Sequence, residues 1–408
     1  EIYMRRHHLN RAIVLGLLLS TAMSGSVWAE DLTAAPIVVN TSEQKEYTIT
    51  EDTEYDLNED AWITNNGGSV TIEDSDEGNH DLSITTDNAK SINSTNGTNH
   101  IVVGGDFSLK NESSDKSIDG VYNFLGSSTT IKADGNITIE SSANEKNSII
   151  HAVTNKSMDD WTGESGKENT IEIVGGGTVS IKATSGTASD GNAIHSSAVS
   201  MTKEGVTNTT SIMGEGIEVA FEAVSQGDRI NAGAIYAMSG GLGTISNTIT
   251  LTGTGELDNT ITSSARGIQI LANAGDSSVN VTSEKASNNI TSKFSAIDID
   301  YGNVRLHAEN GVNKLESEQL VGQGLAVITS SSGYVELLAK QNEIIGHDIG
   351  GIYGSPYSKH QQNPDQEMQK IMLKATDGDN LVTTERTDGI YSSDGYIVEL
   401  IAESGNKS

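Results

Sequence analysis

The sequence predicts an all-β fold, a right-handed parallel β-helix of about eleven coils that follows an N-terminal signal peptide. Composition is the first reason: 408 residues contain 43 Gly, 3 Pro, no Cys, 4% aromatic and 35% apolar residues, too lean a mixture for a thick globular core. Ser, Thr, Asn, Gly and Asp dominate, while Ile, Val and Leu recur in short alternating runs, the pattern of strands. The second reason is a repeated apolar anchor, and the third is a pair of period-two runs that accompanies each anchor.

Along the chain, positions 4–11 (MRRHHLNR) form a positive head, positions 12–23 (AIVLGLLLSTAM) an apolar stretch, and Val27-Trp28-Ala29 a small-residue cleavage site. This is the arrangement of a secretory leader, and the apolar stretch is shorter than the roughly 20 residues of a helical membrane span. Residues 1–29 are therefore expected to be a signal peptide with a short extension, residues 30–60 an N-terminal cap, and residues 61–408 the β-helix.

A small residue followed by Ile or Val, then often Tyr or His, recurs at Ile63, Ile92, Val121, Ile150, Ile194, Ile235, Ile268, Ile297, Val327, Ile352 and Ile390. The first three gaps are 29 residues and later ones are sometimes longer, as in a solenoid whose coils accept insertions. Gly or Ala precedes the anchor at Gly120, Ala193, Ala234, Gly267, Ala296, Ala326, Gly351 and Gly389, which suits a sharp corner or close stacking on the next coil.

A second run starts at Val70, Ile101, Thr129, Ile171, Thr210, Ile249, Val279, Val304, Val335, Ile371 and Val398. Its period of two sends Leu306, Leu337 and Leu373 inward and Arg305, Glu336 and Glu399 outward. A third run follows, as at Ile137-Thr138-Ile139 and Asn289-Ile290-Thr291. Three strands per coil, with coils about 4.8 Å apart, make a rod of roughly 50 Å.

Extra residues fall mostly between the anchor and the second run, so insertions are expected to gather along one edge, the usual place for partner contacts in repeat proteins. The two longest are NKSMDDWTGESGKEN and SPYSKHQQNPDQEMQK. They offer Asp159, Asp160, Trp161, Tyr357 and His360 as candidate partner-binding residues, because aromatic rings on polar loops make good contacts.

An acidic, cysteine-free, Gly/Ser/Thr/Asn-rich β-helix behind a secretory leader resembles the passenger domain of a Gram-negative autotransporter, the pertactin-like class of surface proteins. The resemblance spans about residues 30–408 and rests on architecture rather than on a short motif. It implies display at the cell surface or outer membrane, or release outside the cell, after passage through a C-terminal translocator β-barrel. No such barrel is in this sequence, which reads as stopping within a coil. It further implies an adhesin or structural spacer that meets host or bacterial surface glycans and proteins.

The net charge of −31 repels phosphate backbones, so nucleic acid is not an expected partner. No cofactor or metal is expected, and no catalytic residue. Gly351-Ile352-Tyr353-Gly354-Ser355-Pro356 has Ile and Tyr where a serine-protease GDSGSP pattern needs Asp and Ser. Asp377-Gly378-Asp379-Asn380 resembles half a calcium loop but sits in the normal coil pattern. The glycine runs at 175–177 and 240–243 lack the strand-to-helix setting of a phosphate loop. His151 and His195 read as ladder residues in the column of Tyr122, Tyr236, Tyr353 and Tyr391. An alternative function, a polysaccharide hydrolase or lyase, rests on Asp298 and Asp300, two carboxylates on one strand face.

Overall fold

A computed structural model describes residues 29–404 except 33–34, 59, 76–77, 114–116, 147–148, 159–167, 188–189, 201–204, 224–231, 242–243, 273–275, 320–325, 356–368, 386–387 and 394. Its strands build a parallel β-helix. The first strands of successive coils form a 12-stranded sheet, and the second and third strands together form a 22-stranded sheet. In coils 9 and 10 the second and third strands run on as single strands, Asn303–Gln319 and Tyr334–Asp348.

Among the described residues there are thus twelve coils, and the helix begins one coil earlier than expected. Ile37–Asn40, Gln44–Ile49 and Thr53–Asn58 pair in register with the three strands of coil 2, inside the stretch read as a cap. The anchor of that coil is Ile37, preceded by Pro36. Two anchors also shift. Val121 pairs with Val153 rather than Ile150, and Ile297 with Ile328 rather than Val327. In both places neighbouring apolar residues compete for the same sequence pattern, and only strand pairing selects between them. Likewise Asn99, not Ile101, is level with Val70.

The second-strand column carries most of the predicted core. Ile72, Ile101, Ile131, Ile173, Ile212, Leu251, Val281, Leu306, Leu337 and Leu373 stack in register and are fully buried. Each such side chain contributes about 1.5–3 kcal/mol of transfer free energy. Arg305 and Glu336 face out as an ion pair at 3.4 Å.

At the start of the third strand the interior turns polar. Asn259, Asn288, Asn313, Asn342 and Asn380 are buried one above another, each Nδ2 donating to the next Oδ1 at 2.9, 2.9, 3.0 and 2.8 Å. Parallel stacking at rung spacing repeats an amide donor beside an amide acceptor, so each rung after Asn259 has its Oδ1 satisfied by the one before. Asn380 of the suspected calcium loop is spent in this ladder.

The corner between first and second strand differs along the rod. In coils 1–4 it is a tight turn with left-handed backbone at Ser42 (φ 67°), Gly67 (φ 99°), Asn96 (φ 56°) and the pair Leu125 (φ 51°) and Gly126 (φ 82°). In coils 5 and 11 the same corner holds the long insertions. Their central residues lie outside the described residues, and Asp159, Asp160, Trp161, Tyr357 and His360 with them, as does the leader through Trp28.

Candidate functional site

The small residue before the anchor explains the shape of the outer face. Ala152 and Val153, Ala193 and Ile194, and Ala234 and Ile235 are consecutive buried pairs, so two successive side chains enter the interior where an ordinary strand would send one. At Gly120 there is no room for more: a Cβ would lie 2.6 Å from the Ala152 carbonyl oxygen. Ladder pairing skips this position, passing from Asp119↔His151 to Val121↔Val153, and a crease lies on the outer face of the first sheet. It is flanked by the residue two before each anchor and the residue one after it.

The two flanks meet on a diagonal, the earlier position of one coil touching the later position of the next. Lys90 Nζ lies 3.3 Å from the centre of the Tyr122 ring. Thr154 Oγ1 donates to Asp119 Oδ1 at 2.5 Å. The rings of His151 and His195 are 4.5 Å apart, and Arg266 Nε donates to Asp298 Oδ2 at 2.5 Å. His151 and His195 therefore do not share a ladder, contrary to the sequence reading. His151 stacks between Asp119 and Asn192 in register, while His195 stands with Tyr122, Thr154 and Tyr236. The three-residue slip of the anchor from Ile150 to Val153 is the cause.

Between coils 3 and 7 the crease widens into a cavity of about 390 Å³ lined by Lys90, Ser117, Asp119, Tyr122, Ile149, His151, Thr154, Lys156, Asn192, His195 and Tyr236. Asp119, His151, Thr154, Asn192 and Tyr236 are buried at its base, and Ser117 and Ile149 form an exposed rim. The opening lies over Thr154, the small member of the column Tyr122, Thr154, His195 and Tyr236. On one side stands Tyr122 with Lys90 behind it. On the other, His195 stacks on Tyr236 with ring centres 5.1 Å apart and holds Asn192 Oδ1 at 3.2 Å from Nδ1.

Burial sets the protonation of these groups. It raises the Asp119 carboxyl above the ordinary range, against the pull of His151, the Thr154 hydroxyl, Lys90 and Lys156. It lowers His195 well below 6.5, helped by His151 and Lys156, so His195 is an uncharged ring at neutral pH. Burial likewise lowers Lys90, partly offset by Asp119, and pushes the Tyr122 phenol up to about 12, with Asp119 adding to it. The cavity thus offers a carboxyl, two amines, two imidazoles and two phenols, all fixed on strand backbone.

The acids singled out from sequence are placed otherwise. Asp298 is committed to Arg266, and its register neighbours are Gln269 and Thr329, neither of them acidic; Asp300 is exposed. Among the described residues no cluster of three or more His, Cys, Asp or Glu could hold a metal ion. Lys90, Asp119, Thr154, Lys156 and Asn192 were missed by sequence reasoning. A corrected anchor at Val153 would have put Asp119, His151 and Asn192 in one column, so the signal was present in register but not in any motif.

Comparison with protein-family models, with curated proteins and with solved structures finds no match.

Proposed function

We propose that this chain is an exported, surface-displayed passenger of the autotransporter type that works as an adhesin and holds its ligand in the crease of coils 3–7. The observation that carries the reading is the cavity: a polar and aromatic recess, set on rigid strands, of the size that takes small ligands or the end of a larger one. Support for display comes from the leader-like residues 1–29, the absence of Cys and the repeat architecture. The partners in this reading are glycans or glycoproteins of host or bacterial surfaces.

The test is attachment by cells displaying the whole chain. Thr154→Tyr, which puts a ring where the ladder has its gap, should reduce attachment at least tenfold while the purified variant keeps the β-sheet circular dichroism of the parent. Unchanged attachment by a folded Thr154→Tyr protein would remove the crease from the reading.

One observation favours a second reading, a polysaccharide lyase or hydrolase: the Asp119 carboxyl, raised by burial, lies in the cavity beside His151. Hydrolysis by paired carboxylates needs a second acid, and Asp119 is the one carboxylate among the described lining residues. Release of unsaturated or reducing ends from acidic polysaccharide by the parent, and none by Asp119→Asn, would favour this reading over adhesion.

A further inference from the structure

The cavity runs against the charge of the chain. The whole sequence carries −31, yet the described lining has Lys90 and Lys156 against the single carboxylate Asp119. Asp119 is the less able to repel an anion because its Oδ1 accepts the Thr154 hydroxyl and Lys90 stands level with it in the coil before. Lys90 lies on the coil 3 side of the Tyr122 ring, which leaves the side towards Thr154 to face the cavity. A carbon-bound hydrogen face packs well on such a ring, and Thr154 and Ser117 bring hydroxyl groups that can pair with sugar hydroxyls. A volume of about 390 Å³ lies at the small end of the range for ligand pockets, enough for a monosaccharide or disaccharide and short of a folded peptide.

We propose that the crease selects a pyranose bearing a carboxylate, with the sugar ring against Tyr122 over Thr154 and the carboxylate on Lys156. This deepens the adhesin reading and rests on it. The Lys156 ammonium supplies a charge-assisted hydrogen bond to the carboxylate, the ladder gap supplies the space, and His195, uncharged at neutral pH, supplies a flat wall. A neutral sugar of the same length would use the wall and the hydroxyl partners but leave the Lys156 ammonium without an anion.

The experiment is calorimetric titration of the purified chain with a galacturonic acid trimer and with a galactose trimer. The acidic trimer should bind at least tenfold more tightly, and the preference should shrink as salt is raised from 50 to 500 mM. Lys156→Gln should cut the affinity for the acidic trimer about tenfold and leave the neutral trimer unchanged. Equal binding of both trimers, or acidic binding indifferent to Lys156→Gln, overturns the charge assignment, and so does the lack of any heat with either trimer at 10 mM. Thr154→Tyr separates the layers. Loss of attachment in that variant, with trimer preference absent from the parent, leaves the adhesin reading standing and sinks only the acidic-sugar assignment.

Discussion

In coils 4 and 5 the crease holds Asp119 against Thr154; in coils 8 and 9 the same diagonal holds Arg266 against Asp298. Backbone geometry is shared, since both pairs join the residue two before one anchor to the residue one after the next. What differs is closure. The guanidinium of Arg266 reaches across and is itself buried, filling the crease with a charge pair, whereas the short Thr154 hydroxyl satisfies Asp119 and leaves space above. A continuous groove thus becomes a local cavity through side-chain length alone, and the sealed stretch marks one end of it.

That contrast sets the order of expected effects. The largest belongs to the sealed stretch: Arg266→Ala leaves the half-buried Asp298 carboxylate without its guanidinium and should cost up to about 3 kcal/mol in urea unfolding, while replacing both residues by apolar ones of similar volume should come within about 1 kcal/mol of the parent. A loss below about 1 kcal/mol for Arg266→Ala would show that this part of the crease is wet, and that the two stretches are alike.

The next effect belongs to the open stretch and depends on pH. The folded-state value of His195 is depressed, so its contribution to stability is fully present above pH 6.5, the ordinary value, and is lost as pH falls towards the folded value, because the unfolded chain then binds the proton more readily. Asp119 has the opposite sign: its raised value gives stability at low pH that is lost as pH rises through it. Between pH 6.5 and 5 the parent should therefore lose stability more steeply than His195→Gln, by an amount on the order of 1 kcal/mol. Parallel pH profiles for the two proteins would mean that the His195 ring is solvated and the cavity base more open than its packing implies.

The smallest effect is the control away from the crease. Lys132 and Glu172 stand on adjacent coils at 3.3 Å with side chains about 40% exposed. Lys132→Ala should change stability by less than about 0.5 kcal/mol, as exposed pairs do. A larger change would show that charge ladders on the outer face, and not the interior alone, help hold the coils together.

Much of this molecule was legible in one dimension. Period-two apolar runs require strands, a repeat near 29 residues requires stacked coils, and Leu306, Leu337 and Leu373 face inward because alternation leaves them no other face. These are local constraints, each satisfied within a few residues. The asparagine ladder was half legible: Asn two residues before an apolar residue recurs at Asn313, Asn342 and Asn380, but nothing in the pattern says that the amides point in. What tertiary structure alone decided is register between coils. At Ile150 and Val153 two apolar residues three apart compete for one level, and local pattern weighs them equally; hydrogen bonding to the coils above and below selects Val153. That choice moves His151 out of the column of His195, sets it diagonally against it, and brings residues from five coils around one cavity. A binding site of this kind has no sequence motif because its members are neighbours only across rungs, where contact is fixed by parallel pairing.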